Sequence, residues 1–159
     1  MKVEKTNAMR ILDSANINYE VKTYPHKNEA LEGKLVAKLC GQNPEHVFKT
    51  LVTQANTKEY IVFMLPVENE LDLKKGAKAA GVKSIEMIPV KDINKVTGYI
   101  RGSTTPLAMK KNYRKFIHET AILYDSILFS GGKIGLQICM NPEDLIALEN
   151  ITVEDITKE

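Results

Sequence analysis
The apolar residues of this chain fall into short stretches whose period switches repeatedly between that of a helix and that of a strand. No regular strand–helix–strand repeat emerges, so a doubly wound parallel sheet is disfavoured. Thr6 to Ala15 carries Met9, Ile11, Leu12 and Ala15 on roughly one face, with Thr6 able to cap the start, which predicts a helix. Tyr19 to Tyr24 alternates as a strand and is stopped by Pro25. Leu31, Leu35, Val36 and Leu39 have helical spacing up to Gly41. Asn43–Pro44–Glu45 sets a capping side chain, a proline and an acid at a helix start. It leaves room only for a short turn before a strand at Val47–Thr53. A very apolar strand at Glu59–Leu65, a helix at Leu71–Ala80 ended by Gly81, a short strand at Ser84–Met87 and a short helix from Pro89 through Val96 follow. Ile122–Phe129 and Ile134–Met140 read as strands joined by the hairpin-like turn Ser130–Gly131–Gly132–Lys133. Asn141–Pro142 then opens a last helix near Leu145–Leu148. The expected fold is α/β of the α+β type, with a mixed, largely antiparallel sheet and flanking helices. With 159 residues and no repeat or linker, one domain over residues 1–159 is expected.

Composition excludes several classes. At 43% hydrophobic and 26% charged residues the chain is in the globular range. It contains no apolar run long enough for a membrane span, and Met1 to Ala15 has no apolar export core. A cytoplasmic protein is expected. Cys40 and Cys139 lack metal-ligand spacing and read as reduced thiols. The net charge of +2 conceals an uneven distribution, because Leu71 to Lys115 holds eleven basic and three acidic residues. That segment could face an anionic partner such as nucleic acid, though charge alone favours a solvated set of surface lysines.

Three local features bear on chemistry. Lys49 stands in a strand whose two faces both carry apolar side chains, so it must pair, reach water at an edge or line a cavity. Spacing alone fits a strand-end lysine as well as a functional one. The segment Gly98–Tyr99–Ile100–Arg101–Gly102–Ser103–Thr104–Thr105–Pro106 can present backbone N–H groups to a carbonyl oxygen or phosphate. It lacks the ending of a phosphate loop, and alone it also fits a simple turn. Ser130–Gly131–Gly132–Lys133 with Gly135 is the third. His26, His46 and His118 show no metal spacing, and no Gly-x-Ser-x-Gly elbow is present. Neither a metal nor a cofactor is expected.

Taken in order, Thr23–Tyr24–Pro25–His26, Val47–Phe48–Lys49–Thr50–Leu51, Leu71–Asp72–Leu73–Lys74–Lys75, Gly98–Tyr99, Gly102-x-x-x-Pro106 with Lys110–Lys111, and Ser130–Gly131–Gly132–Lys133-x-Gly135–Leu136 resemble the YbaK/EbsC family of aminoacyl-tRNA deacylases. These are relatives of the editing domain inserted in bacterial prolyl-tRNA synthetases. The resemblance implies a trans-editing deacylase acting on the 3′ CCA end of cysteine-mischarged tRNA for proline, with tRNA for cysteine as a further substrate. In that branch the substrate thiol attacks its own ester and leaves a cyclic thioester and free tRNA. The resemblance makes Lys49, Gly102 and Ser103 catalytic. It assigns Tyr24, Thr50, Tyr99, Thr104, Thr105, Pro106, Ser130, Gly131, Gly132 and Gln137 to substrate binding. Prolyl-tRNA synthetase is the implied protein partner. Neither membrane nor DNA is expected, since no helix-turn-helix with a basic recognition helix is visible. Close relatives carry an acid where this chain has Gln137, and Arg101, Ser103 and Ala108 also depart from the family pattern. Two other readings share these residues: removal of another amino acid such as alanine from tRNA for proline, and a non-catalytic nucleic-acid-binding regulator.

Overall fold
Side-chain caps set the helix starts at Thr6, Asn43, Asp72 and Asn141. In the computed structural model, which describes residues 4–27 and 29–159, Thr6 accepts a hydrogen bond from the Met9 N–H and opens α1 (Asn7–Ser14). Residues 1–3, part of the stretch read above for an export signal, lie outside the described residues. β1 (Glu20–Thr23) and α2 (Gly33–Leu39) follow. Asn43 accepts from the Glu45 N–H and opens a 3₁₀ turn over Pro44–His46, which leads into β2 (Phe48–Ala55) and β3 (Tyr60–Pro66). Asp72 accepts from the N–H groups of Lys74 and Lys75 at the start of α3 (Leu73–Ala80). Gly81 closes that helix at φ 70°, a left-handed conformation that favours glycine. β4 (Ile85–Met87), a 3₁₀ turn at Val90–Asp92, α4 (Ile93–Thr97) and β5 (Arg114–His118) come next. A 3₁₀ turn at Glu119–Leu123 leads to β6 (Ile127–Ser130) and β7 (Leu136–Met140). Asn141 caps α5 (Pro142–Glu149), and β8 (Thr152–Glu154) is the last element.

The strands form two sheets. One runs β1-β7-β6 and is antiparallel throughout. The other runs β4-β2-β3-β5-β8, antiparallel on the β4 side and parallel where β5 joins β3 and β8. A single parallel bridge between Val47 and Leu128 ties the sheets together at one end. The core lies in two main bodies. Phe48, Met64, Leu107, Phe129 and Ile138 pack with α1 and α5 residues such as Leu12 and Leu145. On the opposite face, Phe63, Leu65 and Phe116 pack with Ala77 and Ala80 of α3. β2 is therefore covered on both faces, with Phe48 in the first body and Leu51 against the second.

Two expectations need correction. Ile122–Phe129 is not one strand: the chain turns through Glu119–Leu123, and β6 begins only at Ile127. Ile122 and Leu123 are 53% and 73% exposed, so their apolar side chains do not mark a buried strand. The connection from β6 to β7 is also wider than a tight hairpin. Ser130 pairs with Gln137, and Gly132 and Gly135 carry the bend at φ 98° and 91°.

Candidate active site
β4 is only three residues long and pairs with Thr53, Gln54 and Ala55 of β2. Along Lys49, Thr50 and Leu51 the β4-side edge of β2 has no strand neighbour among the described residues. The two sheets touch just before this stretch, at the Val47–Leu128 bridge. A cleft of about 390 Å³ opens at this edge. It collects Tyr24 from the end of β1, Lys49 and Thr50 from β2, Gly102 and Thr104 from the loop after α4, Ser130 from β6 and Gln137 from β7. Val36, Val67 and Ile93 supply apolar wall.

Lys49 is half-buried, and burial pushes its ammonium pKa down from the ordinary value while the nearby Glu70 carboxylate partly restores it. No carboxylate lies within ion-pair distance of Lys49 among the described residues. A half-buried cation without a direct carboxylate partner can bind an electron-rich oxygen. Two further groups on the cleft are unpartnered. The Thr50 hydroxyl and the Gln137 Oε1 atom are buried without a hydrogen-bond partner, and the Gln137 side chain is only 6% exposed. Buried polar atoms are usually satisfied, so a ligand that donates to Gln137 and bonds Thr50 fits the chemistry of the wall.

The loop after α4 is held from behind. Gly98 ends that helix at φ 88°, and Thr97 Oγ1 accepts from the Tyr99 N–H. The Tyr99 hydroxyl donates to the Leu107 carbonyl at 2.6 Å. Burial pushes this phenol up to about 12, so it stays protonated as a donor. Ser103 donates twice to the Ile100 carbonyl, through its N–H and through its hydroxyl. Ser130 Oγ donates to the Ser103 carbonyl at 2.8 Å and accepts from the Gly132 N–H. Thr6 Oγ1 donates to the Gly131 carbonyl. Gly102 adopts φ 86°, and a Cβ there would fall 2.5 Å from the Ala30 Cβ, so only glycine fits.

The sequence-predicted residues thus divide. Tyr24, Lys49, Thr50, Gly102, Thr104, Ser130 and Gln137 line the cleft. Tyr99, Ser103, Thr105, Pro106, Gly131 and Gly132 do not line it and stand behind the wall. The Ser103 N–H is already engaged in its turn, which leaves it no donor for an oxyanion in this conformation. The apolar wall from α2 and α4, together with Met87 and Arg101, is missed by sequence reasoning. The apolar members carry only the ordinary spacing of core residues, so nothing local marks them; Arg101 was visible as a departure inside the loop. Among the described residues no group of three or more His, Cys, Asp or Glu side chains is gathered to hold a metal.

The sequence model of the aminoacyl-tRNA editing domain matches residues 29–148. A relative from Enterococcus faecalis, EbsC, named for Cys-tRNA(Pro)/Cys-tRNA(Cys) deacylase activity, is 40% identical over 154 residues, 97% of this chain and 94% of the relative. A solved structure described as a trans-editing enzyme for prolyl tRNA synthetase superposes with a TM-score of 0.84 at 20% identity, over 99% of this chain and all of that one. The crystal structure of a hypothetical protein superposes with a TM-score of 0.86 at 16% identity, over 96% of this chain and all of that one. At these identities the two structural likenesses show a shared fold.

Proposed function
We propose that this chain, which belongs to the aminoacyl-tRNA editing domain family, is a trans-editing deacylase that removes cysteine misattached to tRNA for proline. Residues 1–159 act as one editing domain. The observation that carries this reading is Lys49: a half-buried ammonium with no carboxylate in ion-pair distance among the described residues, at the open edge of β2 and lining a cleft that collects polar groups from five chain segments. The name of the 40% identical relative supports both the reaction and the substrate, with Cys-tRNA(Cys) as a second one.

The chain supplies position and charge, and the substrate supplies the nucleophile. The aminoacyl ester of the terminal adenosine lies in the cleft with its carbonyl toward Lys49. Gly102 lets the backbone approach the ester and ribose, and Ser130 holds that loop through the Ser103 carbonyl. The Gln137 Oε1 atom accepts a hydrogen bond from the substrate amino group, and Thr50 bonds a ribose or ester oxygen. The substrate sulfur then forms a bond to the ester carbonyl carbon, and the bond from that carbon to the ribose oxygen breaks. The thiol proton ends on the released ribose hydroxyl, leaving a cyclic thioester and intact tRNA. Lys49 stabilises the negative charge that builds on the carbonyl oxygen, a contribution of about 3–4 kcal/mol for a well-placed donor. Thr105, Pro106, Tyr99 and Gly131 position the wall and do not touch the substrate. The reaction takes place in the cytoplasm, and prolyl-tRNA synthetase serves as the docking partner that presents the tRNA.

The test is loss of the ester from cysteinyl- and alanyl-tRNA for proline, with wild-type protein and Lys49→Ala. Cysteine release by the wild type, reduced by about 10²–10³ in the variant, is expected. No turnover of either substrate overturns the enzymatic reading, and undiminished turnover by Lys49→Ala overturns the role of that lysine.

A further inference from the structure
A second cavity, of about 620 Å³, meets the first across Lys49, and Lys49, Leu51 and Met87 line both. Its far wall is the start of α3 together with Glu70 and Lys158. That wall is held in place by the C-terminal segment. The Asp72 N–H donates to the Ile156 carbonyl at 2.8 Å, the Lys158 N–H donates to the Glu70 carbonyl at 3.0 Å, and Leu71 bridges Thr157. The cavity is therefore built before anything enters it, and a preformed site loses less entropy on binding.

Size and charge indicate what enters. The first cleft, at about 390 Å³, lies low in the ~300–1,000 Å³ range of small-molecule sites. It has room for one aminoacylated nucleoside, so the nucleotide before that one must lie outside. The acidic groups of the second cavity are already matched. Glu70 pairs with Lys158 at 3.1 Å, and Asp72 accepts from two backbone N–H groups of α3. Lys74 is exposed and has no carboxylate partner among the described residues. Beside it, Leu73 and Met87 are 40% and 45% exposed and offer apolar surface to a base.

We propose that this second cavity is the subsite for the nucleotide on the 5′ side of the terminal adenosine, its base over Leu73 and Met87 and its phosphate at Lys74. The proposal rests on the deacylase reading and adds the path by which the RNA leaves the cleft. Lys49 stands at the junction, where the ester-bearing ribose meets the rest of the chain.

The experiment compares two esters of cysteine: the adenosine 3′-ester and the trinucleotide CCA 3′-ester. The wild type is expected to show a KM about tenfold lower for the trinucleotide, about 1.4 kcal/mol of extra binding. In the double variant Leu73→Gln/Lys74→Ala that preference falls toward one with kcat for the trinucleotide retained. Lys74→Glu alone lowers it at least as far. Equal KM values for the two esters in the wild type overturn the proposal, as does a preference that survives in both variants. Failure to cleave either ester overturns the deacylase reading, and this inference with it. Cleavage of the adenosine ester without any preference removes this inference alone.

Discussion
A single lysine shows how far a residue's meaning depends on its surroundings. Lys49 costs the folded state something, because burial holds its pKa below the ordinary value. The sign follows from linkage. A base with a depressed folded pKa binds protons less readily when folded, so the penalty is fully present below that pKa and fades as pH rises toward 10.5. At neutral pH Lys49→Met keeps the bulk of the side chain and removes the desolvated charge. A melting temperature equal to or above that of the wild type is therefore expected, together with loss of deacylation; a marked fall in melting temperature would make Lys49 a structural residue. The pattern of β2 alone does not separate a functional lysine from a strand-end one. β4 stops short and leaves the edge beside Lys49 open, which supports the functional reading proposed above.

At the scale of elements, the helix caps and the early strands were legible because their signals are local. Thr6, Asn43 and Asn141 each accept backbone N–H groups a few residues away. β5 and β8 were not legible. β5 begins with Arg114 and Lys115, and it becomes a strand through parallel pairing with β3, whose residues lie about fifty positions earlier. Lys115 is buried there, with its ammonium donating to the Tyr113 carbonyl and 3.4 Å from Glu149 of α5. Glu149→Leu would strand that charge, and a loss of about 3 kcal/mol is expected in denaturant unfolding. β8 leads into a segment clamped by His118. The Ile156 N–H donates to His118 Nδ1, and Thr157 Oγ1 lies 3.4 Å from Nε2. Burial holds His118 below 6.5, against the opposing pull of Asp155 and Glu119 and with help from Lys75. Protons then bind the unfolded chain more readily than the folded one, so stability is full above about pH 6.5 and falls as pH drops toward the folded pKa. Unfolding free energies measured from pH 7.5 down to 5 should show this slope in the wild type. His118→Gln should flatten it, and an unchanged slope would place its origin elsewhere.

Across the whole molecule, the basic segment from Leu71 to Lys115 turns out to be only partly available. Lys75 pairs with Asp155, Lys95 with Asp92, Arg114 with Glu59 and Lys115 with Glu149. The seven others, among them Lys74, Arg101, Lys110 and Lys111, are exposed without a carboxylate partner among the described residues. If three or four of them meet single-stranded phosphates, the slope of log K against log salt for tRNA should be roughly −2 to −3. A slope near zero in a binding titration would leave them as solvated surface. No helix among the described residues is long and apolar enough to cross a membrane. The sequence by itself determined the fold class, the caps and the ordered elements that mark the family, because these rest on local chemistry and on residue order. Only the tertiary structure decided which predicted residues face the cleft and which brace it. That division depends on where the two sheets meet and one short strand ends, and such distances between remote segments are set by packing.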